Sequence, residues 1–498
     1  MRRQISRDET FVPTFKVILS LFCMACAMYT MRVVQQLPSI AQQAILVNFQ
    51  PVVPPIVMLW LWGARVKGLQ ADGVEYELCF AAKDRKHLMP GEDIQGLALL
   101  LGSIAAGLAA LMCKLAAMQA YASTEMLPIV LYMGLFAVAF LPWPMPYPGS
   151  RLFFLHTFQR ILTPLQTVSW ADFLLADILC SLSKSCADFS RAICWLSTGP
   201  VMQSLVVPSF RAPEVCSPTA TPQLVALCLP YIIRFIQCFI VHRTTGKRAQ
   251  LWNAAKYFSG LPVLLLSAFE HDAHTANRPF PLRGTWLLAC AFNSLFSYYW
   301  DVEHDWKMPW ISRVWTEARQ RKRAAQGPGQ GSVVGPSSSV ATKRAAALAP
   351  PPNAAHFTNS SSSTSLLAPS ATNTSKHSSP GCLPLLQPQA LHAPRSWYVW
   401  ALCSNLVLRF LWMHRLVGRL EANEGLELLL ALAEVWRRHQ WVRIRIEVEI
   451  NHVASIYSVG PTSPTARKAG IPMLWDRPNS GVSLGGGVKK GVLENLGL

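Results

Sequence analysis

Ser297-Tyr-Tyr-Trp-Asp-Val-Glu-His-Asp-Trp306 closes an apolar run that starts near residue 284 and sets Asp301 and Asp305 four residues apart between Trp300 and Trp306. On an α-helix that spacing puts both acids on one face. Ionised groups beside an apolar span are costly in hydrocarbon, so acids placed there face a protein interior or a watery path rather than lipid.

Composition carries the same reading to the whole chain. Of 498 residues, 51% are hydrophobic and 14% charged, with mean hydropathy +0.25, whereas a soluble chain carries about a quarter charged residues. This is the composition of a membrane protein. A net charge of +18 invites a nucleic-acid partner, but no finger, recognition helix or aromatic RNA motif is present, so no nucleic acid is expected. Cationic cytosolic loops account for the charge better. The 13 cysteines are scattered; the close pair Cys23 and Cys26 lies in an apolar run and reads as packing, and no disulfide framework is implied.

Apolar stretches long enough to cross a bilayer fall near 12–32, 46–64, 94–119, 126–143, 170–197, 222–242, 250–269, 284–303, 396–414 and 424–442. The chain therefore reads as an all-α polytopic membrane protein of about ten transmembrane helices. The Met1-Arg-Arg start precedes a long apolar run without a clear small-residue cleavage site, the pattern of a signal-anchor helix. With a cytosolic amino terminus, the basic segments Arg65 to Lys86, Arg151 to Arg160, Arg243 to Arg248 and Arg313 to Arg323 all fall on the cytosolic side. Arg415 and Arg419 fall on the other side, where Glu421 and Glu424 offset them. Residues 317–393, rich in Ser, Pro, Ala and Thr, cannot bury enough apolar surface to order and read as a disordered cytosolic loop. The sequons at Asn359 and Asn373 would then never meet the glycosylation machinery. A Gly- and Pro-rich tail, 460–498, is expected to be disordered as well.

On this layout Arg234 lies within the sixth helix, Lys256 within the seventh, Arg409 within the ninth, and Arg437 and Arg438 within the tenth. A charge left unpaired at that depth costs at least about 2.5–3.5 kcal/mol. Asp177 on the fifth helix, with Asp301 and Asp305 on the eighth, balances only part of the set, which leaves a net positive cavity. Each charge taken singly has a structural reading, snorkelling or a salt bridge. Snorkelling does not reach Arg234 and Arg409, which sit towards the middle of their spans. Arg presents a planar fork and Lys a compact charge, a mixture suited to a tetrahedral oxyanion, and Tyr257 and Trp412 are expected to wall the cavity or to stack on a guanidinium. Arg437 and Arg438 point about 100° apart on a helix, so one is expected to face the cavity and the other its rim or the headgroups. His304 beside the Asp pair fits a helix end as well as a metal ligand. With no Ser-His-Asp grouping, Gly-rich phosphate loop or metal-ligand spacing, no catalytic residue, metal or cofactor is expected.

Taken with Asn253-Ala-Ala-Lys256-Tyr257, Leu408-Arg409-Phe410-Leu411-Trp412 and Glu434-Val-Trp-Arg437-Arg438, the Asp301 segment resembles the EXS family. The resemblance spans about 165–455 and is interrupted by 317–393. It implies a carboxy-terminal bundle of six helices, with 1–165 carrying the first four, 166–316 and 394–459 the two parts of the EXS bundle, and 460–498 the tail. Family members resembling the retrovirus receptor export inorganic phosphate. The positions that match theirs here are Asp177, Arg234, Lys256, Asp301, Asp305, Arg409, Trp412, Arg437 and Arg438. Two departures stand out. No SPX domain precedes the first helix, which is similar to the ER-retention-defective branch, and Ser404-Asn405 stands where the family carries a carboxylate near the ninth-helix arginine. The branch implies phosphate recycling across a Golgi or related endomembrane, with the plasma membrane second. The alternative is a sorting protein that retains Golgi glycosyltransferases through cytosolic loops. Expected partners are inorganic phosphate, membrane lipids and, under the sorting reading, Golgi enzyme tails or coat components, with a homodimer left open.

Overall fold

The structure, a computed structural model, describes residues 13–120, 124, 126–140, 147–163, 166–198, 214–308, 393–416 and 424–459. The polar segment 317–393, except its last residue, with the sequons at Asn359 and Asn373, the tail 460–498 and the extreme amino terminus lie outside the described residues. The chain divides into a unit of residues 1–309 with 388–498 and a second, 310–387, which falls wholly among the undescribed residues.

The described residues are helical throughout, with short connections. In chain order the longer helices are α1 (Pro13–Val34), α2 (Ser39–Phe49), α3 (Val53–Ala71), α4 (Gly91–Ala117), α5 (Met126–Phe140), α6 (Pro148–Leu162), α7 (Trp170–Ser181), α8 (Ser183–Thr198), α9 (Thr221–Thr245), α10 (Ala249–Thr275), α11 (Arg283–Trp300), α12 (Arg395–Arg409) and α13 (Glu424–Val459). Within the described residues, each apolar stretch predicted to cross the membrane is helical. The second runs from α2 through the 3₁₀ turn Gln50–Val52 into α3, and the fifth is divided at Leu182 between α7 and α8. Helix α6 was not expected; it occupies the segment read as a cytosolic connection, and its Arg160 binds Asp172 of α7 at 2.8 Å.

Length and apolar composition alone single out four spans, Thr14–Val34, Ala41–Ala71, Gly91–Ala117 and Thr221–Thr245. Two of these four carry buried arginines, Arg65 on the second and Arg234 on the fourth. At its crossing with α4, α3 comes close enough that a Cβ on Gly91 would sit 2.3 Å from the Lys67 nitrogen and 2.6 Å from the Gly63 carbonyl, so only glycine fits there. Small residues serve the same end elsewhere: Ala44, Ala105, Ala109 and Ala192 are buried where α2, α4, α5 and α8 share a core with Leu131 and Trp195. Cys194 of α8 and Cys216, just before α9, form a disulfide, a pairing the scattered cysteine positions did not foretell.

Helix α13 has 36 residues, about 54 Å at 1.5 Å per residue and far beyond a hydrocarbon core of about 30 Å. Its extension past residue 442 carries charges at i,i+4 spacing: Arg445 bonds Glu449 at 3.0 Å, and Arg443 lies 3.8 Å from Glu447. Glu447 also receives Arg65 of α3 at 3.3 Å and the Tyr398 hydroxyl of α12 at 2.5 Å, which ties the first helices to the carboxy-terminal bundle through buried polar contacts.

Candidate functional site

The site begins with a helix cap. The Ser169 hydroxyl accepts the Asp172 N–H at 3.2 Å and the Asp172 carboxylate accepts the Ser169 N–H at 3.0 Å, a reciprocal capping box that fixes where α7 starts. Farther along α7, Asp177 is 1% exposed. Its two oxygens are taken by two guanidiniums: Oδ1 accepts Arg234 Nε of α9 at 3.0 Å, and Oδ2 accepts Arg438 Nη1 of α13 at 2.6 Å. The Tyr257 hydroxyl of α10 also donates to Oδ1. Arg234 donates further to Gln237 Oε1 at 2.6 Å and is sandwiched between the rings of Phe173 and Tyr257, 4.7 and 4.9 Å from their centroids. Arg438 completes its set with Ser181 Oγ at 2.7 Å.

A second cluster centres on Asp301. Oδ2 accepts Arg409 Nη2 at 2.5 Å and Asn405 Nδ2 at 3.2 Å, and Arg437 Nη1 lies 3.6 Å away. Asn405 thus bridges the acid and a second cation, since its Oδ1 accepts Arg437 Nη1 at 3.3 Å. Arg437 closes its fork on Glu434 with bonds of 2.7 and 2.6 Å. A third contact is looser: Lys256 Nζ stands 3.9 Å from Asp305, which also accepts Trp441 Nε1 at 3.2 Å.

Residues Asp301–Asp305 are wound as a π-turn, with the Trp306 N–H on the Asp301 carbonyl at 2.8 Å, rather than as the α-helix assumed from their spacing. The two acids serve different cations across that turn. Arg437 and Arg438 are also not divided into an inward and an outward residue. Both are at least nine-tenths buried, because α13 packs against α3, α7, α12 and the 301–305 turn, and each meets its own carboxylate. Trp412 lines a cavity as expected and donates Nε1 to Ser294 at 3.1 Å. His304 stacks on Trp300 with centroids 4.1 Å apart, and among the described residues no three His, Cys, Asp or Glu side chains are grouped to hold a metal.

Two cavities approach these clusters from opposite ends of the bundle. The first, 370 Å³, is lined by the carboxy-terminal half of α10, the start of α11 and the start of α13, and reaches Arg409, Trp412, Glu434 and Arg437. The second, 350 Å³, is lined by the end of α9, the start of α10 and the end of α11, and reaches Arg234 and Asp305. They share no lining residue. Asp177, Lys256, Asp301 and Arg438 line neither and form a septum between them. The nine residues singled out in the sequence therefore fall on the septum or on its two faces. Glu434, Gln237 and Asn405 were not singled out. Glu434 had a legible signal, standing three residues before Arg437 on the same helix face.

An ion-paired layer between two cavities in a bundle of long apolar helices is the interior of an all-α polytopic membrane protein. The chain belongs to the EXS family, whose model matches residues 45–451. It is 32% identical over 267 residues to solute carrier family 53 member 1 of Cricetulus griseus, covering 50% of this chain and 37% of that one. It is 30% identical over 270 residues to SPX and EXS domain-containing protein 1 of Dictyostelium discoideum, covering 53% and 28%. With the xenotropic and polytropic retrovirus receptor 1 homolog of Danio rerio it shares 29% identity over 259 residues, covering 50% and 36%. The matched region thus spans little more than a third of these relatives at most.

Proposed function

We propose that this chain carries inorganic phosphate across a Golgi or related endomembrane, with the septum as its binding site. The observation that carries the reading is the buried set of Arg234, Lys256, Arg409, Arg437 and Arg438, held in register by Asp177, Asp301, Asp305 and Glu434 between two cavities. Five cations against four carboxylates leave one positive charge in the layer. The carboxylates act as resident anions that keep the cations ordered while the site is empty. An incoming phosphate replaces them with charge-assisted hydrogen bonds of its own, bidentate to Arg and point-like to Lys. Re-pairing of the carboxylates then expels it towards the opposite cavity. The long Lys256–Asp305 contact, which faces the second cavity through Asp305, is the weakest pairing and the first to exchange.

The full chain reconstituted in liposomes loaded with radiolabelled phosphate is expected to show flux that Lys256→Gln abolishes. Phosphate is also expected to raise its unfolding temperature in detergent, since a ligand at 100 times its Kd stabilises by about 2.7 kcal/mol. A parent protein that neither moves phosphate nor is stabilised by it would leave the sorting role standing in its place.

A further inference from the structure

The second cavity contains a cation that the ion-pair network does not use. Lys307 follows the π-turn with a left-handed backbone, φ 54°, and lines the cavity half-buried. Among the described residues no carboxylate lies within 4 Å of its ammonium. Arg234, Lys247 and Arg445 line the same cavity; Asp177 takes Arg234 and Glu449 takes Arg445, at 3.0 Å each, and Lys247 sits in the turn from α9 to α10, its carbonyl 3.0 Å from His242 Nδ1. Asp305, the cavity's one carboxylate, is already shared between Lys256 and Trp441.

The first cavity is charged differently. Its Lys184, Arg409, Arg415 and Arg437 each hold a carboxylate, Glu427, Asp301, Glu270 and Glu434, at 3.0, 2.5, 2.8 and 2.6 Å. One vestibule is balanced pair by pair; the other keeps a spare positive charge a short step from Arg234 and Asp305. Trp300, also on the second cavity's wall, has a buried indole N–H with no acceptor, and buried donors left unpaired in native proteins call for a water or ligand partner. The volume of 350 Å³, against about 30 Å³ per liquid water, admits a tetrahedral oxyanion with part of its hydration shell.

We propose that the second cavity is a loading subsite for a hydrated tetrahedral oxyanion, anchored by Lys307 and distinct from the septum. It raises the anion's local concentration at the septum, as a cleft lined by one sign of charge does, and binds without stripping the anion's water. The inference rests on the phosphate reading for the identity of the ligand.

The test uses the full chain in proteoliposomes, with half-saturating phosphate measured separately from each membrane face for the parent, Lys307→Gln and Lys307→Arg. Loss of the charge is expected to raise half-saturation roughly five-fold from the face where α9 ends, the scale of one close charge in a watery cavity. The effect from the other face should be smaller, high salt should narrow the difference, and Lys307→Arg should resemble the parent. Equal half-saturation in parent and Lys307→Gln, or an equal rise from both faces, overturns the subsite while leaving phosphate transport in place. If the parent moves no phosphate, the transport reading falls and equilibrium binding in detergent decides the subsite. Radiolabelled phosphate bound more weakly by Lys307→Gln supports it. Lys307-dependent binding of a short-chain phosphatidic acid, with none of inorganic phosphate, makes the cavity a lipid headgroup site and overturns it, and so does no binding of either.

Discussion

Asp177 and Asp305 are both aspartates on the cation layer, yet they differ in what their loss leaves behind. Asp177 pairs with two guanidiniums and accepts a tyrosine hydroxyl, all buried. Removing one partner of a buried pair strands the other charge at a cost of about 3–5 kcal/mol, so Asp177→Asn is expected to lower the unfolding temperature in detergent sharply. Asp305 holds Lys256 only at 3.9 Å; Asp305→Asn is expected to leave the unfolding temperature nearly unchanged while phosphate flux falls. Equal thermal losses, with flux following stability in both, would make the layer a scaffold. Arg437→Lys and Arg438→Lys should both be felt, since each fork is buried and engaged, and a lysine cannot reproduce the two bonds Arg437 makes to Glu434. Eight of the nine candidate positions carry a charge, and a charge in an apolar span announces itself; Trp412 has no such mark. Their partners were less legible: Ser181 for Arg438 and Glu447 for Arg65 come from distant chain segments. Asn405 carries no charge to mark it.

At the level of the helix, the length of the apolar runs was enough to place the helices, and local geometry was what it missed. The capping box at Ser169 sets the start of α7 and therefore the position of Asp177 two turns later. Ser169→Ala is expected to cost about 1 kcal/mol, read as a lower unfolding temperature, and to weaken phosphate-dependent stabilisation because the Asp177 carboxylate loses its fixed register. Retained phosphate stabilisation at the reduced temperature would show that tertiary contacts alone hold Asp177. The π-turn at 301–305 could not be read from spacing, because i→i+4 and i→i+5 winding put the same letters in the same order. Helix α6 escaped for the opposite reason. It is short and its two arginines invite a loop assignment, while the contact that settles it, Arg160 to Asp172, is tertiary.

For the molecule as a whole, the positive-inside assignment and the disulfide are independent observations about the same face. Counting crossings from a cytosolic amino terminus puts the end of α8 and the start of α9 on the side away from the cytosol. Cys194 and Cys216 are joined there, and disulfides persist in the lumen of the secretory pathway but not in the cytosol. On that count the first cavity, at the end of α10, lies towards the same face and the second, at the start of α10, towards the cytosol, so the spare charge of Lys307 would meet cytosolic anions. In sealed vesicles with the cytosolic face outward, a membrane-impermeant reductant is therefore expected to leave Cys194–Cys216 intact, whereas the same reductant after detergent opens it and exposes two further thiols to a maleimide. Asn359 and Asn373 should stay unmodified in the same preparation. A bond cleaved in the sealed vesicles, together with endoglycosidase-sensitive mass at either Asn, would invert the orientation and turn the Lys307 cavity towards the lumen.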